Sequence, residues 1–121
     1  MPRLFVGGAL LLVFSLGFVV ACDDTPAGPR SGEDVYREVG CVNCHGHDGA
    51  GIAGFAPTLH GKKQLWTREN LITYVKDPPA YVAKDPRLRE QGRGFRLPMP
   101  KLVLDLPIEY ENLADYVLSF P

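Results

Sequence analysis

Cysteine is scarce in this chain of 121 residues: there are three, and only Cys41 and Cys44 stand at pair spacing. No second Cys-x-x-Cys and no histidine pair at ligand spacing accompany them, which excludes a closed four-ligand zinc site. The βαβ patterning that a thiol–disulfide oxidoreductase would show around the pair is missing as well. The glycine-rich stretch Gly46 to Gly54 lacks the strand and the Gly-Lys-Ser/Thr context of a phosphate-binding loop. It reads as a turn. Neither sign of charge dominates, since 13 Lys+Arg stand against 14 Asp+Glu. The basic excess that a nucleic-acid partner demands is therefore lacking. No internal repeat is present, and methionine occurs only as Met1 and Met99.

What the chain does have is Gly40-Cys41-Val42-Asn43-Cys44-His45-Gly46. Two thiols about one helical turn apart, followed at once by an imidazole, form the C-x-x-C-H pattern of covalent c-type haem attachment. Each thiol can form a thioether to one side of the same porphyrin. The adjacent histidine then meets the iron from the same segment. Cys41 and Cys44 are the expected attachment points and His45 the expected proximal ligand.

The start of the chain has a separate logic. Arg3 is the only charge before an apolar run from Leu4 to Ala21. A basic start and an apolar core read as an export signal. The same eighteen uncharged residues also suffice to cross a bilayer as a retained anchor. Val19-Val20-Ala21-Cys22 resembles the bacterial lipobox, in which the cysteine is lipidated and becomes the first mature residue. That gives Cys22 a use outside the haem motif, and Asp23 resembles a signal for retention in the inner membrane. The expected organisation is a signal peptide over 1–21, a lipid-anchored tether over 22–32 and a folded domain over 33–121. The protein is then exported and anchored to the bacterial cell membrane, facing the periplasm or the extracytoplasmic side. Without residues 1–21, one hundred remain, forty of them apolar. So thin a core is marginal for a small chain, and a buried porphyrin would make up the shortfall.

Helical patterning places three elements. Val35, Tyr36 and Val39 open the first, with Glu33 and Asp34 in its first turn. Thr67 is a plausible N-cap for the second, whose stripe is Leu71, Ile72 and Val75 before Asp77-Pro78-Pro79 ends it. The third runs from Pro107 to Ser119 with Leu113, Tyr116, Val117 and Phe120 on one face.

Taken with the haem motif, Ala56-Pro57-Thr58-Leu59-His60-Gly61 is similar to the Gly-Pro-x-Leu-x-Gly segment of class I monohaem cytochromes c. Trp66 to Val82 resembles that family's middle helix and the loop entry after it. The resemblance implies an all-α cytochrome c fold, three principal helices around one covalently attached haem. It implies that the Pro57 carbonyl accepts the His45 imidazole N–H, fixing its tautomer. Trp66 would donate to a haem propionate, and Tyr74 would lie near the iron-bound sulfur. Met99, between Pro98 and Pro100, occupies the family's axial-ligand position, and methionine opposite histidine raises the reduction potential. His60 is the alternative ligand, although family members use a histidine there structurally. Ala56 replaces the usual glycine, a mild departure in loop geometry. Tyr36 and Gly40 would meet Leu113, Val117 and Tyr116 where the first and last helices cross.

Residues Ala83 to Arg96 depart from compact family members as an inserted loop. From Lys84 to Lys101 six basic residues meet two acidic ones, a local charge of +4. The insert reads as a solvated loop or as a docking surface for an acidic face of a redox partner. The implied function is one-electron transfer between membrane-associated redox proteins through a single haem c, with His45 and Met99 on the iron. No enzyme activity is expected. A permanent haem c subunit of an oxidase or dehydrogenase complex, or a haem sensor with a labile methionine, are the other readings.

Overall fold

The computed structural model describes residues 27–121. The apolar run, the lipobox and Cys22 lie outside the described residues. Within them the fold is all-α, as expected, and no strand forms beyond one bridging pair, Ile52 with Ala56. None of the described helices is long and apolar enough to cross a membrane.

The first helix, α1, spans Gly32–Glu38. Ser31 caps it by accepting the Asp34 N–H at 3.1 Å, and acidic Glu33 and Asp34 face the positive end of the helix dipole. It stops short of the haem motif. Gly40 at φ +85° turns the chain, and the motif forms its own single turn, α2, Val42–His45. A 3-10 turn at Lys62–Gln64 leads to α3, Arg68–Lys76, whose cap Thr67 accepts the Asn70 N–H at 3.1 Å. The last helix, α6, spans Pro107–Ser119 as the spacing predicts.

The insert is not wholly a loop. Its first residues finish α4, Pro78–Lys84, and it then forms α5, Pro86–Gly92. Asp77 accepts the Ala80 N–H at 3.2 Å and Asp85 accepts the Arg87 N–H at 2.9 Å, each beside a proline in the first turn. Proline after Asp thus ends one helix and starts the next, because its fixed φ and missing N–H suit a first turn. Six α-helices make up the described domain, and the three expected as principal, α1, α3 and α6, form its core.

That core joins Val35 and Tyr36 of α1 to Leu71 and Val75 of α3, and to Leu113, Ala114 and Val117 of α6, with Leu104 and Phe120. Tyr36 meets the rings of Tyr116 and Phe120 at 5.4 and 5.6 Å. The close approach of α1 and α6 falls at Gly32, not at Gly40. A Cβ on Gly32 would stand 2.1 Å from the Asn112 carbonyl oxygen, whereas one on Gly40 would meet only the Asn43 side chain. Gly40 is needed for its backbone conformation instead.

The folded body also begins earlier than residue 33. Arg30 donates from its backbone N–H to the Glu109 carboxylate at 3.1 Å, and from Nε and Nη2 at 2.9 and 2.7 Å. Asn112 donates to the Arg30 carbonyl oxygen at 2.8 Å. The last residues assigned to the tether are therefore held against α6. Their partners lie far along the chain, so local composition carries no sign of them.

Candidate haem site

The Cys-x-x-Cys-His motif sits in a turn closed at both ends. The Cys41 N–H donates to the Tyr36 carbonyl at 3.1 Å, and the Tyr36 hydroxyl donates to the Gly46 carbonyl at 2.7 Å. Burial pushes the Tyr36 phenol far above its ordinary range, so it remains a donor. Both thiols are free; Cys41 is half-buried and Cys44 exposed. Burial pushes the Cys41 thiol up to about 11. A thiol so held is a poor standing thiolate, the opposite of what a disulfide-exchange enzyme needs.

His45 places Nδ1 2.9 Å from the Pro57 carbonyl oxygen. A carbonyl can only accept, so Nδ1 carries the proton and Nε2 is the basic nitrogen. Burial, the largest influence, lowers the His45 pKa and favours the neutral ring that metal ligation requires. The loop between these residues is tightly built. The Gly51 N–H donates to the His45 carbonyl at 2.8 Å, and the Leu59 N–H to the Gly49 carbonyl at 2.7 Å. A Cβ on Gly51, at φ +81°, would lie 2.7 Å from the Ala56 and Pro57 backbone, so only glycine fits. Ala56 exchanges two hydrogen bonds of 3.0 Å with Ile52 and has no positive φ. Alanine at this position strains nothing.

His60 is engaged elsewhere. Its Nε2 lies 2.7 Å from the Asp48 carbonyl oxygen, and its ring faces Phe120 at 6.2 Å. It braces the glycine-rich loop. His47 is exposed.

Met99 is half-buried against the core between exposed Pro98 and Pro100. Trp66 and Tyr74 stand together at 5.1 Å, with Tyr81 completing the cluster at 5.5 and 5.7 Å. The Arg87 guanidinium lies 5.5 Å from the centre of the Trp66 ring. Cys41, Leu59, Trp66, Tyr74 and Met99 all pack as half-buried side chains against the one core cluster. The structure thus gathers residues spread from 41 to 99.

These residues fit a covalently held porphyrin. Two free thiols and a neutral imidazole share one turn, and a thioether side chain packs on the same core. Ile52, Phe55, Leu65 and Leu97 leave 43, 45, 60 and 66 % of their surface exposed, on the segments that flank these donors. Apolar surface of this kind is what a porphyrin covers. Among the described residues no three His, Cys, Asp or Glu side chains converge on a point, so these donors do not build a protein-only metal centre. The closing role of the Tyr36 hydroxyl and the need for glycine at 51 have no local signal in the sequence beyond an aromatic and a glycine run.

Fold and site together define a small helical domain for a covalently attached cofactor. The family model for cytochrome c matches residues 30–120, and the chain belongs to the cytochrome c family. Its cofactor is covalently bound haem c with its iron, and its general role is that of a haem-containing electron carrier. Compared with curated proteins and with solved structures, the chain has no significant match.

Proposed function

We propose that Cys41 and Cys44 carry the two thioethers of one haem c, that His45 and Met99 are its axial ligands, and that the domain is a membrane-tethered one-electron carrier. The observation that carries this reading is the 2.9 Å contact from His45 Nδ1 to the Pro57 oxygen. A ring so held has one defined tautomer, one orientation and a more basic Nε2. The bound haem supplies the one-electron couple, and the protein sets its potential through ligand identity, hydrogen bonding and burial. Trp66 donates its indole N–H to a propionate, and Tyr74 lies beside the ligand sulfur. With both axial positions taken by side chains of this chain, no site is left open for a substrate. The protein is a carrier rather than an enzyme.

Cys22 is the lipidated first residue after export. Arg30, held on Glu109, follows it by eight residues, so the domain stays within about 28 Å of its anchor. The partners are redox proteins at the same membrane, met through the basic segment Lys84 to Lys101. Mass spectrometry of the native protein tests haem attachment and tether together. Haem should remain on the peptide holding residues 41–45 with both thiols consumed, and the N-terminus should be an acylated Cys22. A haem-free peptide contradicts the attachment. A chain starting at Met1 or Pro2 contradicts lipidation and makes the apolar run the anchor.

A further inference from the structure

Met99 lies on a strap that is pinned to the body on both sides. Three residues before it, the Arg96 N–H donates to the Gly54 carbonyl oxygen at 3.0 Å. Three residues after it, the Leu102 N–H donates to the Val75 carbonyl oxygen at 2.9 Å. The two pins differ in their surroundings. Val75 belongs to the core and half-buried Leu102 packs against it, and next to them Lys101 Nζ meets Asp77 at 2.7 Å. Arg96 is exposed, and its partner is a glycine at φ +76° in the loop after the haem motif. What reinforces the outer pin is a cation over a ring: the Arg96 guanidinium stands 5.6 Å from the centre of the Phe55 ring.

We infer that Arg96 and Phe55 form a latch that holds this strap shut, and that Arg96 is the positioning residue for Met99. The inference rests on Met99 being the sixth ligand. The loop that receives the latch is itself rigid. The Phe55 N–H donates to the Ile52 carbonyl at 2.9 Å, Ile52 is bonded both ways to Ala56, and the Gly51 N–H holds the His45 carbonyl. One side chain therefore ties the segment that carries Met99 to the segment that carries His45. Side chains at residues 55 and 96 meet although the chain between them makes three helices. Weakening the latch raises the fraction of molecules in which the strap has swung out on its core-side pin. An external ligand then competes better for the iron, in proportion to that fraction.

Imidazole titration of the ferric holoprotein reads this fraction. Phe55→Leu and Arg96→Gln should each raise the apparent imidazole affinity about two- to five-fold, the range for an exposed cation–π contact. The double variant should exceed the single ones by less than the product of their effects, because both remove one contact. Arg96→Lys, which keeps a cation, should stay nearer the wild type. Amide exchange should quicken at Arg96 and not at Leu102. Met99→Ala is the reference, and should bind imidazole far more tightly than the wild type. If Met99→Ala binds like the wild type, the ligand assignment fails and the latch with it. If Met99→Ala binds tightly while both latch variants match the wild type, the latch alone is overturned.

Discussion

Tyr36 acts in two places at once: its ring fills the crossing of α1 and α6, and its hydroxyl holds the Gly46 carbonyl that ends the haem motif. Tyr36→Phe keeps the ring and strands the carbonyl. Unfolding of the holoprotein in denaturant should show a loss of about 1–2 kcal/mol, with haem still attached. An unchanged midpoint would mean that solvent serves Gly46 as well as the phenol does. Such a role is hard to read from sequence, because hydrogen bonds are invisible to apolar spacing and Tyr36 already explains itself as core. The contact of His45 with Pro57 is legible for the opposite reason. A proline twelve residues after the histidine, in a recognisable segment, carries its own local signature. His60 shows the limit between these cases, since the residue type permits ligation and only the 2.7 Å contact with Asp48 assigns it to the loop.

At the scale of elements, α3 and α6 are legible because each has a strong apolar stripe and a capping or proline start. The helices α4 and α5 are hidden by the same prolines that define them. Asp-Pro-Pro and Asp-Pro read first as stops, yet Asp caps and Pro at the first turn are also start signals. The fold turns much of the insert into helix rather than a slack loop. Its charges are not all free. Arg87 pairs with Asp85 at 3.3 Å while lying over Trp66, and Arg93 pairs with Glu90 at 2.8 Å. Among the described residues Lys84, Arg89 and Arg96 have no carboxylate at ion-pair distance, and Arg96 lies over the Phe55 ring, so Lys84 and Arg89 are the charges a partner would feel most. Lys84→Gln with Arg89→Gln should slow bimolecular electron transfer to an acidic partner roughly three- to ten-fold at low salt. The difference should vanish as ionic strength rises, and the reduction potential should stay where it is. Equal rates at low salt would place docking elsewhere.

At the scale of the whole domain, the start of the described residues is tied to α6. Arg30 donates three hydrogen bonds to Glu109, a carboxylate whose side chain is only 4 % exposed. The side-chain bond from Arg30 is the main cause that pulls the Glu109 pKa from 4.5 down to about 2. A depressed carboxylate stabilises the fold above its unfolded pKa and loses that contribution as pH falls through the folded one. The melting temperature should therefore drop between about pH 4.5 and 2, and Glu109→Gln should drop less steeply. Asp77 and Asp115 are lowered too, by Lys101 and Arg68, so the difference between the two slopes isolates Glu109. Parallel slopes would contradict the assignment. This tie joins residues 79 apart, which is why residues 30–32 look like tether in the sequence. Iron held between His45 and Met99, as proposed above, would have its own signature at this scale. The deciding measurement is the ferric optical spectrum and potential of the wild type beside Met99→Ala. Haem should stay covalently attached in both, while the variant changes spin state and falls markedly in potential. An unaltered spectrum and potential would show that Met99 is not on the iron.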